Sequence, residues 1–224
     1  EFLVRIETSY EEFKYINNGY NMPLRDEIIN NFYNQTYNNS DNLLQLQQNC
    51  ISYLNEFPED NLINKINIII KSLRILANTN AIHNAKLLAE PIWVELSRRD
   101  NLYLSDIFLL NAILYIFPIE TAVEMKRFAF RHIDKYKNFQ NINRIKINFL
   151  MNLSLLYLKN SDYDKALKQL ESSIEVCKLE KQFTNLSICY IRKGICLNNM
   201  NNCGIHWINK GMSIEMRSGS NSDF

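Results

Sequence analysis

The chain has 224 residues, 46% of them hydrophobic, with only five glycines and four prolines, so it can bury a substantial core but has little material for a turn-rich sheet protein. Its 25 basic and 24 acidic residues leave a net charge of +1, and no chain-wide field draws it to nucleic acid or an anionic membrane. The longest apolar run, Ile66 to Leu76, is interrupted by Asn67, Lys71 and Arg74 and is too polar for a bilayer span, and no signal peptide is visible; a soluble, cytoplasmic protein is expected.

Ser9-Tyr10-Glu11-Glu12 reads as a capping box, opening a helix that carries Tyr10, Phe13 and Ile16 and stops near Gly19. Asn21-Met22-Pro23 opens a second, whose apolar face is Leu24, Ile28, Phe32 and Tyr33, because proline is tolerated in a first turn. Asp41 is expected to cap a third, carrying Leu43, Leu44, Leu46, Cys50, Ile51 and Leu54 and ending before Pro58. From Asp60 to about Ala77 the Ile and Leu density is too high for one narrow stripe, which predicts a helix buried on more than one side. Pro91 is expected to kink or divide the helical region from Asn80 to Arg99. Tyr103 to Phe117 forms a further helix, and Pro118 starts the next, through Ala122, Met125, Phe128 and Ala129 to about Tyr136.

Between Asn148 and Glu175 one helix carrying Leu150, Leu153 and Tyr157 runs through Asn160-Ser161-Asp162-Tyr163-Asp164 into a second carrying Ala166, Leu167, Leu170 and Ile174. That is the layout of a tetratricopeptide hairpin, with Ala166 letting two backbones approach and Tyr163 filling the wedge at the turn. Tyr190, Lys193-Gly194, Leu197 and Ile205 to Ile214 repeat it weakly at a spacing of 40 residues, placing Gly194 at a close approach. A helix from Gln182 to Met200 and a short one near His206 to Met212 complete about eleven, and residues 217–224 read as a tail that is disordered or left over from cloning. The expected fold is all-α: a tetratricopeptide-like, right-handed solenoid of stacked αα-hairpins over residues 1–216.

The five cysteines include no C-x-x-C pair, and Cys189 and Cys196, seven residues apart, read as small fillers on one helix face in a reducing compartment. No phosphate-binding loop, dinucleotide fingerprint, zinc-protease motif or nucleophile elbow is present, and His83, His132 and His206 lack metal-ligand spacing. The chain is expected to be no enzyme, with no catalytic residue, no metal site and no cofactor.

The segment Leu102-Tyr103-Leu104-Ser105-Asp106-Ile107-Phe108-Leu109-Leu110-Asn111, followed by Tyr115-Ile116-Phe117-Pro118-Ile119-Glu120-Thr121-Ala122, resembles the central region of the Rgg/GadR/MutR transcriptional regulators of low-GC Gram-positive bacteria. So do Ser9 to Phe13, Asn152-Leu153 with Tyr163 to Leu167, and Cys189 to Gly194 with Trp207 to Gly211. Thirty-two asparagines beside abundant Ile and Lys fit an AT-rich gene. The resemblance implies a helical-repeat domain that follows an N-terminal helix-turn-helix, forms a homodimer and in many members takes a short peptide pheromone on its concave face. The chain begins at Glu1 and carries no helix-turn-helix, so it reads as a fragment whose DNA contact belongs to a missing segment.

A helical face suits an extended peptide when it offers amides to the peptide backbone and aromatic pockets to its side chains. Asn111 and Tyr115, and Asn148 and Asn152, are i, i+4 pairs on two helices expected to face one groove, and Arg144, one turn before Asn148, could neutralise a carboxylate. The expected function is thus the ligand-sensing, dimerising domain of a cytoplasmic transcription regulator. The alternative is a stand-alone tetratricopeptide-type adaptor that binds a protein partner.

Overall fold

A computed structural model describes residues 7–34, 40–137 and 142–219, which form eleven α-helices and two short 3-10 turns with no strand among the described residues. The chain divides into two compact units, Glu1–Ile92 and Trp93–Phe224, and the span 1–216 expected to be one helical-repeat domain runs across both.

The first unit contains α1 (Tyr10–Asn17), α2 (Leu24–Asn34), α3 (Ser40–Glu56), α4 (Asn61–Thr79) and the start of α5 (Ile82–Ser97). Ser9 caps α1 by accepting from the Glu12 amide at 3.1 Å, but the Glu12 carboxylate takes the Thr8 hydroxyl at 2.6 Å, so only one arm of the expected capping box forms. Asp41 sits within the first turn of α3 instead of capping it. The core is built from Ile28 and Phe32, Leu43, Leu46 and Cys50, and the α4 residues Ile63, Ile66, Ile69, Ile70 and Leu73. That set spreads beyond a single i, i+3, i+4 stripe, so α4 is buried on more than one side, against α2 and α3.

Asp60 organises this unit. Its Oδ1 accepts from the Leu62 and Ile63 amides at 3.1 and 3.2 Å, capping α4, while Oδ2 takes Arg25 Nε of α2 at 2.6 Å and the Tyr53 hydroxyl of α3 at 3.3 Å. Pro91 does not divide α5. It does remove the amide that would bond the Leu87 carbonyl, and the boundary between the two units follows one residue later.

The second unit continues with α6 (Leu104–Ile113), a 3-10 turn (Leu114–Ile116), α7 (Ile119–Ile133), a 3-10 turn (Asp134–Tyr136), α8 (Ile142–Lys159), α9 (Tyr163–Leu179), α10 (Phe183–Asn199) and α11 (Ile205–Gly219). Buried Asp106 is held by Arg99 Nη1 at 2.9 Å and accepts from the Tyr103 amide at 3.0 Å, fixing the start of α6. Pro118 precedes α7, as its fixed φ favours. Consecutive helices pack on one another from α8 to α11, and α8 also touches both α6 and α10.

Three turns in this unit are copies of one design. Ser161, Lys181 and Asn201 each take a left-handed φ between 52° and 58°, and the amides of Asp162, Gln182 and Asn202 each bond at 2.9 Å to a carbonyl five residues back, on Tyr157, Cys177 and Leu197. This is the Schellman closure, here built without glycine, and it recurs every 20 residues. Half of the 40-residue sequence spacing is therefore one helix plus one such turn.

The close approach expected at Gly194 is present: a Cβ there would lie 2.5 Å from Ile208 Cγ1 and 2.6 Å from the Gly204 carbonyl, so α10 and α11 cross with almost no side chain between them. Gly211 meets Ser187 and Ile191 in the same way. Helix α11 is not the short element expected, but runs 15 residues through Arg217, Ser218 and Gly219; the remainder of the expected tail lies outside the described residues. Cys177, Cys189 and Cys196 pack with Leu170, Ile174 and Tyr190 as small fillers of the core.

Candidate functional site

Asn111 is a half-buried polar residue near the end of α6, a helix otherwise buried through Ile107, Leu109, Leu110 and Ile113. Asn152 of α8 donates its Nδ2 to both Asn111 Oδ1 at 3.3 Å and the Asn111 carbonyl at 3.4 Å. One turn on, Tyr115 lies under Lys159, whose Nζ sits 4.3 Å from the ring centroid. Two of the five candidate residues are therefore bonded to each other, and a third meets the same helix further along. Arg144 and Asn148 precede Asn152 by two turns and one turn on α8 and are half-buried, but among the described residues neither is bonded to the other three.

Across α8 from this pair, Arg192 of α10 donates to the carbonyl of Met151, the neighbour of Asn152, at 2.8 Å. Between α8 and α10 lies a groove of about 500 Å³. Its lining is largely aliphatic, from Leu155, Leu158, Ile188, Ile191 and Ile195, joined by Tyr163 and the polar Lys159, Arg192 and Asn199. Among the described residues no carboxylate lines it. Arg192, Ile195 and Asn199 stand 40 residues after Asn152, Leu155 and Lys159, so α8 and α10 bring positions at that offset to one groove or to its edge. Sequence reasoning singled out the asparagines, two of which the structure bonds to each other, but not the α10 side of the groove; the same 40-residue offset, applied to Asn148 and Asn152, leads to Ile188 and Arg192.

A second hollow, about 420 Å³, is bordered by Lys126, Arg127, Phe130, Arg131 and Asp134 and belongs to α7 and the turn after it. Burial lowers the Lys126 ammonium below the ordinary lysine range, and Lys126 donates to Gln169 at 3.2 Å. It is thus committed to holding α7 against α9.

The histidines do not converge. His132 is buried with its two ring nitrogens at 2.9 and 3.1 Å from the carbonyls of Phe128 and Asp100, two acceptors of which a neutral ring can donate to only one, while His83 and His206 are exposed. Among the described residues no three His, Cys, Asp or Glu side chains could hold a metal ion, and no helix is long and apolar enough to cross a membrane. What the α6–α8–α10 row offers chemically is hydrogen-bonding amides, two cations and an aliphatic trough. No protein-family model, curated protein or solved structure matches the chain.

Proposed function

We propose that this chain is the ligand-sensing and dimerising part of a cytoplasmic bacterial transcription regulator of the Rgg/GadR/MutR type. In this reading its hairpins stack as a right-handed, tetratricopeptide-like solenoid, and α6, α8 and α10 form the inner row. A short peptide lies along that row, its backbone meeting Asn111 and Asn152 and its apolar side chains entering the trough between α8 and α10. DNA contact falls to a helix-turn-helix outside this chain, and occupancy of the row biases the dimer that presents it.

The observation that carries the reading is the half-buried Asn111–Asn152 pair, joined by long 3.3 and 3.4 Å bonds beside a largely aliphatic groove that Lys159 and Arg192 also line. Bonds of that length exchange for peptide bonds at small cost, whereas two short ones would not. The contacts of α8 with both α6 and α10 support the inner row, because the first helices of successive hairpins are neighbours in a solenoid. For dimerisation, the support is α11, where Ile205, Met212 and Met216 are 60%, 45% and 70% exposed along one stripe.

Native mass spectrometry of the protein purified from its host tests the assignment. A co-purifying peptide, released by Asn152→Ala together with Arg192→Ala, is the expected result. A ligand-free protein that also ignores peptides from its host's culture fluid would remove the sensing role, and a monomer in light scattering at tens of micromolar would remove the dimer.

A further inference from the structure

Helix α7 turns a charged face to the hollow of about 420 Å³. Val123, Lys126, Arg127, Phe130, Arg131 and Asp134 line it, and their spacing of i, i+3, i+4, i+7, i+8 and i+11 is that of a single helical face. Among the described residues none of its three cations forms an ion pair, and the one carboxylate in the lining, Asp134, is 3.5 Å from Lys146 of α8. Glu124, three residues before Arg127, is exposed and does not line the hollow.

Lys126 is half-buried, and burial works against its ammonium. A cation drawn partly out of water without a counter-charge is costly. Gln169 accepts one of its three N–H bonds and fixes where the ammonium sits, leaving two. Arg131 has its guanidinium carbon 5.5 Å from the centre of the Phe128 ring, a contact that restrains the group without using its N–H bonds. Arg127, one turn before Arg131, is exposed.

We propose that this face of α7 binds the phosphate group of a small phosphomonoester. Arg127 and Arg131 offer guanidinium edges to its oxygens, Lys126 adds a point charge, and Val123 and Phe130 form an apolar wall for the ester group. Charge selects the ligand: three cations against one carboxylate that Lys146 already faces leave an excess that a singly charged group does not neutralise. A phosphomonoester loses its second proton at about pH 6. The resulting dianion only accepts hydrogen bonds, which suits a site whose polar side chains, Asp134 apart, only donate. The hollow lies on α7 and not on the α6–α8–α10 row, and the proposal does not rest on that row binding a peptide.

The test follows the backbone amides of α7 in the ¹⁵N-labelled chain at pH 8 and low salt as phenyl phosphate is added. These resonances should move and saturate at millimolar ligand. Phenyl sulfate, the same shape with one charge fewer, should bind about tenfold more weakly or worse, and inorganic phosphate severalfold more weakly for want of the apolar contact. Arg127→Gln and Arg131→Gln, both at exposed positions, should each weaken phenyl phosphate by about tenfold. Asp134→Asn, which removes the one carboxylate, should tighten it severalfold, a gain that a damaged fold cannot produce. Unmoved α7 amides, phenyl sulfate or inorganic phosphate matching the ester, unchanged affinity in either arginine variant, or no gain in Asp134→Asn would each overturn the proposal.

Discussion

Asn152 reaches across from α8 to touch Asn111 twice, once at the side-chain oxygen and once at the carbonyl, and both bonds exceed 3.2 Å. A half-buried amide held this weakly contributes little to folding, since a typical hydrogen bond is worth about 1 kcal/mol net. Asn152→Ala should therefore lower unfolding stability in urea by about 0.5 kcal/mol and leave helical circular dichroism intact. Affinity for a peptide ligand should fall by about 1 kcal/mol or more, read by fluorescence anisotropy. A large stability loss with unchanged affinity would make the pair a structural bridge.

The crossing of α10 and α11 makes a sharper demand. A methyl group on residue 194 would meet the Gly204 carbonyl at 2.6 Å, and backbone cannot move aside as a flexible side chain can. Gly194→Ala should destabilise the second unit by about 1–3 kcal/mol, measured by chemical denaturation. Gly19→Ala is the contrast: nothing lies within 4 Å of its Cβ position, and its cost comes only from a φ of +65°. Equal, small losses at both sites would mean the helices are farther apart than described.

Much of this was legible in the sequence for a local reason. Apolar spacing marks helices, Pro23 and Pro118 mark starts, and Gly194 marks a crossing, because each acts on its own few residues. Asn111 and Asn152 could be picked as polar positions on apolar helices, but not their mutual bond, which spans 41 residues. The turns at Ser161, Lys181 and Asn201 were hidden because ordinary residues occupy a conformation usually signalled by glycine. Arg25 and Tyr53 converging on Asp60 have no local signature at all, and Arg192 was visible only through the 40-residue offset.

Asp60 also links stability to pH. Burial works to raise its carboxyl, but the Arg25 guanidinium, the Ile63 amide and the Tyr53 hydroxyl outweigh it and hold the group below its ordinary value. The unfolded chain therefore takes up the extra proton on acidification. The stabilisation is complete above the usual carboxylate range, near pH 4, and is lost as pH falls through the lower folded value. Asp60→Asn keeps a competent cap but loses the partly exposed Arg25 pair, so about 0.5–1 kcal/mol should vanish at pH 7 and the gap to wild type should close on acidification. A gap independent of pH in urea melts would mean that the charge of Asp60 is not what holds α2 to α4.

The cysteines divide by burial. Burial pushes the Cys50 thiol up to about 12 and Cys196 up to about 11, and the neighbouring Cys189 together with burial raises Cys177. Hydrogen bonds from Cys177 and Ser173 lower Cys189 instead, but a thiol-reactive reagent needs access as well as the thiolate, and all four of these core positions are buried. Cys203 is exposed in the turn before α11. At pH 8 one thiol of the five should react quickly and the other four at the rate at which the helices open, with all five reacting at once in denaturant. A second fast thiol would identify which hairpin opens first, and placing it at Cys189 or Cys196 would mean that α10 and α11 part well before the unit unfolds.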